Sequence, residues 1–186
     1  MNRFIVYQLG LNGVWCACVF GAVWGLPWLG PVAAIPWLFW HLKQHASPAS
    51  EAARVVGAGV FGLVADLVLI RLGGLGYAGL PADALLGPAW IVALWMVFAT
   101  TANVTLGWLR GRVALAAALG IAGGIGAYMG GRRLGVASFD LTQPETLLAL
   151  AVVWGIGVPL FLNAAALHEA LRLGMKSNRS SRHTVV

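Results

Sequence analysis

The chain has 186 residues, 60% of them hydrophobic and 10% charged, with a net charge of +6. Soluble domains carry about 25% charged residues, so too few are present here to clothe a water-facing surface, and a soluble globular class is excluded. The basic residues stand at the ends of apolar runs and not on one polar face, which argues against nucleic acid as a partner and for anionic membrane lipids.

About 20 apolar residues are needed to cross a hydrocarbon core of about 30 Å. Runs of this kind occupy 4–24, 27–42, 55–73, 88–108, 113–131 and 146–167, which predicts an all-α, polytopic membrane bundle of about six transmembrane helices. The first run follows Arg3 and is longer than the 7–15 residues of a signal-peptide core, so it is expected to be retained. Its Cys16 and Cys18 point to opposite sides of a helix and read as small buried hydrophobes. The second run holds Pro27, Pro31 and Pro36 and predicts a kinked or thin span, joined to the first by a tight hairpin at Gly25-Leu26. His41 and His45, at its end, are four apart and can share a metal if helical. No third ligand stands beside them in the short loop, so a solvated pair, and no metal or other cofactor, is the expectation.

The third run carries Asp66, the one acidic residue well inside an apolar span. A carboxylate at membrane depth costs about 2.5–3.5 kcal/mol on insertion scales, so it is paired, protonated or functional. Arg71 lies about 140° around the same helix and is a poor partner, whereas Arg132, Arg133 or Tyr128 of the fifth run can reach it. Asp66 is therefore the best catalytic candidate, with a buried structural pair as the competing reading. Residues 74–87 form an apolar, glycine-rich loop expected at the interface. Gly74-Leu75-Gly76-Tyr77-Ala78-Gly79 matches a dinucleotide fingerprint by letter, but without a βαβ unit around it the match is chance.

The fourth run ends in Thr100, Thr101, Asn103 and Thr105, followed by Arg110 and Arg112. Counted by helical rise, Gln8, Asn12, Thr100, Thr101, Asn103 and Asn163 share one layer, in the cytoplasmic half. They form either a neutral ligand pocket or hydrogen-bonded glue between helices. Gly120/Gly124 and Gly126/Gly130 of the fifth run have the four-residue spacing that lets helix backbones approach closely. The region 1–168 reads as one membrane domain, and 169–186 as a basic, disordered cytoplasmic tail.

Cationic residues prefer the cytoplasmic side. With the N-terminus inside, Arg3, Lys43, Arg54, Arg110, Arg112, Arg172, Lys176, Arg179 and Arg182 are cytoplasmic, and only Arg71, Arg132 and Arg133 lie outside. Both termini are then cytoplasmic, with Trp24, Trp28 and Trp90 in the outer aromatic belt and Trp40 and Trp108 in the inner one.

The stretches YQLGLNGVWCACVFGA, PAWIVALWMVFATTANVTLGWL (88–109) and GGIGAYMGGRRLG (123–135), with Asp66, resemble the bacterial family of domain of unknown function 2878 over about residues 3–167. The resemblance implies a multi-spanning inner-membrane protein connected with fatty-acyl modification or envelope stress, and carries over no catalytic residues. The expectation is an accessory or lipid-binding protein working with membrane lipids and lipid-modifying enzymes. A lipid-modifying enzyme or a small proton-linked permease using Asp66 is the alternative, the latter compatible with a homo-oligomer.

Overall fold

The structure, a computed structural model, describes the backbone of residues 2–72, 74–80, 87–141 and 143–183, and side chains as far as 164 within these. It is all-helical apart from one two-stranded ribbon. Helix α1 (Arg3–Val23) starts at Asn2, whose side chain accepts from the Phe4 N–H at 3.1 Å. It ends in a Schellman turn: Gly25 takes φ +70°, and the Leu26 and Gly25 N–H groups return to the Gly21 and Ala22 carbonyls. That turn sends α2 (Leu29–Lys43) back along α1. Pro36 sits inside α2, and its 15 residues rise only about 23 Å, short of a full hydrocarbon core.

Helix α3 (Pro48–Arg71) begins with a proline, where a missing N–H costs nothing. Among the described residues, four helical segments are long and apolar enough to cross a membrane: α1, α3, α5 (Val113–Arg133) and residues Pro144–Ala164 of α6. Helix α6 runs Pro144–His183, through the basic segment marked as a tail; its side chains beyond 164 lie outside the described residues. Val56, Val60, Val64 and Val68 form an exposed row on α3, and Leu148, Val152, Ile156 and Leu160 form another on α6. Rows of apolar side chains at helical spacing are tolerated on an outer surface when that surface meets lipid. The chain is a membrane protein.

The fourth run departs from expectation. Helix α4 is only Ala89–Thr100, not a continuous helix to 108, and a 3-10 turn follows at Gly107–Leu109. The threonines explain the stop. The Thr100 and Thr101 hydroxyls donate to the Val97 and Phe98 carbonyls, and the Thr101 carbonyl gathers the N–H groups of Thr105 and Leu106. Side chains that bond the local backbone in this way compete with helix continuation. The depth assignment for Asn103, which counted on helical rise, fails with the helix.

The 74–87 loop is also more built than expected. Strand β1 (Gly76–Tyr77) pairs antiparallel with β2 (Ala137–Ser138), Gly76 facing Ser138 and Tyr77 facing Ala137. A second Schellman turn, at Gly135 with φ +77°, brings the chain from α5 into β2. Tyr77 is buried by this pairing, as is Trp90, which is 3% exposed and meets Tyr77 edge-on at 5.2 Å. Trp90 therefore belongs to the core and not to an interfacial belt, whereas Trp24, Trp28 and Trp108 are exposed. Cys18 is buried but Cys16 is exposed.

Helix α4 packs against α1, α2 and α3, while α5 pairs with α6 and α6 reaches α3. The two groups meet where Trp95 of α4 stacks on Trp154 of α6, ring centroids 4.4 Å apart. At the α5–α6 contact a Cβ on Gly124 would lie 2.1 Å from Trp154 Cγ, and one on Gly120 2.6 Å from the Trp154 carbonyl. The first glycine pair thus lets the helices touch. The second does not: a Cβ on Gly126 meets nothing, and one on Gly130 only the Trp15 ring at 3.8 Å.

Candidate functional site: a buried carboxylate behind an apolar groove

Asp66 lies on the inner side of α3 and is 0% exposed. Each carboxylate oxygen accepts a phenol: Tyr128 donates to Oδ1 and Tyr77 to Oδ2, both at 2.5 Å. Tyr128 comes from α5, and Tyr77 is carried in by the β1–β2 pairing. Hydrogen bonds to an ionised acceptor are short and about twice as strong as neutral ones. Two of them supply what a carboxylate at this depth otherwise lacks. The partner comes from the fifth run, as Tyr128 and not as Arg132 or Arg133; Arg132 instead donates to the Phe139 carbonyl at 3.1 Å. Tyr77 was missed because loop residues carry no periodicity that places them over a helix.

Both tyrosines line a cavity of about 520 Å³. One wall is α1 (Leu11, Trp15, Val19) and the other α5 (Leu119, Gly123, Ala127, Tyr128), with Leu94, Trp95 and Phe98 of α4 and Trp154 of α6 between them. From Leu119 to Gly131 the α5 wall extends about 18 Å. The groove exists because α1 and α5 belong to different packing groups, which α4 and α6 hold together through the Trp95–Trp154 stack. Its lining is predominantly apolar and aromatic, the usual make-up of a small-molecule site. The indole N–H of Trp154 is buried, with no hydrogen-bond partner among the described residues.

The expected polar layer does not converge on this groove. Of its members only Asn12 lines it, and the Asn12 amide donates to the Gln8 carbonyl at 2.7 Å on an exposed part of α1. Gln8 is half-buried and Asn163 exposed. Thr100 is buried, accepting from the Trp37 indole N–H at 3.2 Å, and Thr101 bonds its own backbone. Asn103 accepts from Arg110. These threonines are helix-to-helix and helix-to-self fastenings.

A second polar cluster stands at the α2–α3 turn. His41 is 1% exposed, with Tyr7 on one ring nitrogen and Glu51 on the other, each at 2.8 Å. The expected solvated histidine pair is thus overturned. The short loop folds the first turn of α3 back on the last turn of α2, and Glu51, ten residues along, arrives beside both histidines.

No curated protein and no solved structure matches the chain. The family model described as "Protein of unknown function (DUF2878)" matches residues 4–160, and the chain belongs to that family.

Proposed function

We propose that this is a multi-pass protein of the bacterial inner membrane that holds a lipid acyl chain in the groove between α1 and α5. In this reading it serves as an accessory or lipid-binding component of fatty-acyl modification or envelope stress. The observation that carries the lipid reading is the groove itself: about 520 Å³, lined with leucine and aromatic side chains, in a chain whose outer surface meets lipid. Asn12, exposed where it lines the groove, gives it a polar point at which an ester or headgroup can be fixed. The link to acyl modification is carried over from the sequence resemblance alone, since the family is one of unknown function. About six crossings with both termini cytoplasmic is the arrangement that puts most lysines and arginines inside; α2 and α4 would be its short members.

The alternative, a proton-linked permease or a lipid-modifying enzyme centred on Asp66, is less well served. Both carboxylate oxygens are engaged by phenols that fasten α3 to α5 and to the β1 loop, which is a structural use of the group. The test is native mass spectrometry of the protein purified in mild detergent, with lipid extraction of the same sample. An acyl lipid retained in stoichiometric amount is expected, and protein free of lipid would overturn the reading. Comparing acyl profiles of a deletion strain and its parent under envelope stress tests the metabolic link separately; identical profiles would remove it.

A further inference from the structure

We propose that His41, His45 and Glu51 form a binding site for a divalent transition metal, Zn²⁺ by preference, at the α2–α3 turn. One donor atom from each residue lies within 4.8 Å of the other two. His41 Nε2 is 2.8 Å and His45 Nε2 3.9 Å from the same Glu51 oxygen, Oε1. Donors bound to one Zn²⁺ at 2.0–2.1 Å in a tetrahedral arrangement stand about 3.3 Å apart, so the two distances bracket what an ion requires. Two imidazoles and a carboxylate suit a borderline cation, and three protein ligands leave a fourth position for water.

The surroundings resemble the outer shell of a metal site. Metal-binding histidines are normally oriented by a hydrogen bond on the other ring nitrogen. Here the Tyr7 hydroxyl sits 2.8 Å from His41 Nδ1, leaving Nε2 directed at Glu51. On metal entry the imidazole proton resides on Nδ1 and is donated to the Tyr7 oxygen, while the Nε2 lone pair takes the ion. Arg54 holds Glu51 from behind: its Nε donates to Oε2 at 3.0 Å and its Nη1 to the Ala99 carbonyl at 3.0 Å. Its Nη2, which reaches Oε1, gives way to the cation there. Burial differs within the set: His41 and Glu51 are enclosed, whereas the His45 side chain is 20% exposed and provides the way in.

The experiment uses the full chain without a polyhistidine tag, purified in detergent and dialysed against buffered Zn²⁺, with metal content read by inductively coupled plasma mass spectrometry. One Zn²⁺ per chain is expected. His45→Ala, at the partly exposed position, should lose it while the thermal unfolding midpoint is kept. Tyr7→Phe should weaken Zn²⁺ binding about tenfold to a hundredfold, as loss of an outer-shell partner does. Co²⁺ in place of Zn²⁺ should give the visible absorption of a four-coordinate nitrogen and oxygen site, absent in His45→Ala. Wild-type protein that retains no Zn²⁺, or a His45→Ala variant that binds as much as wild type, would overturn the proposal.

Discussion

Tyr128 on α5 and Asp66 on α3 are joined by a 2.5 Å hydrogen bond across 62 positions of sequence. Tyr77, from a loop, takes the other carboxylate oxygen at the same distance, so one buried carboxylate ties together three parts of the chain. Tyr128→Phe and Tyr77→Phe each remove one donor while keeping the ring. Each should cost about 1–2 kcal/mol, read as a fall in unfolding midpoint in detergent. Because both phenols serve one carboxylate, the double variant should show coupling of at least about 0.5 kcal/mol. Strict additivity would mean that the three groups do not act as a unit.

Asp66→Asn tests the same cluster from its centre. An amide offers one acceptor oxygen and an NH₂ donor, so one phenol is left facing a donor in a buried site. Stability should fall by about 1–3 kcal/mol, while lipid retained in the groove should persist, since the tyrosine rings still line it. If stability were unchanged but a proton-coupled or enzymatic activity vanished, the fastening role would be refuted in favour of a chemical one.

At the end of α4 the prediction concerns Thr100, whose hydroxyl accepts the Trp37 indole N–H at 3.2 Å and donates to the Val97 carbonyl at 2.6 Å. Thr100→Val is nearly isosteric but strands the indole donor between α2 and α4. The expected cost is about 1–2 kcal/mol. Thr100→Ser, which keeps the hydroxyl, should restore most of it. Equal stability of the Val and Ser variants would show that the indole finds another partner.

Long apolar runs made α1, α3, α5 and the first part of α6 readable from composition, because in hydrocarbon a helix must satisfy its own backbone. The depth of Asp66 likewise brought Tyr128 into range as a partner. What sequence concealed depends on local competition and on lateral packing. The threonine hydroxyls end α4 at Thr100 through bonds that a hydropathy window does not register. Tyr77 reaches Asp66 through a two-residue ribbon too short to show alternation. Glu51 approaches His41 only because the α2–α3 turn reverses within a few residues. The groove could not be read at all, since it is the gap left between α1 and α5 by the packing of other helices.

Two adjacent glycines on α5 line that groove, and one of them also makes the helix contact beside it. An added Cβ at Gly124 would sit 2.1 Å from the Trp154 ring, but one at Gly123, which lines the groove, meets nothing within 4 Å. Gly124→Ala must therefore push α5 off α6, and overpacking of this kind costs about 1–3 kcal/mol. Gly123→Leu instead puts its side chain into open space, and a leucine has a helix propensity about 0.8 kcal/mol better than glycine, so the unfolding midpoint should hold or rise. The same side chain fills the space taken by a bound acyl chain, and lipid recovered with the purified variant should fall severalfold. A Gly123→Leu protein that folds well and still retains its lipid would place the acyl chain outside this groove.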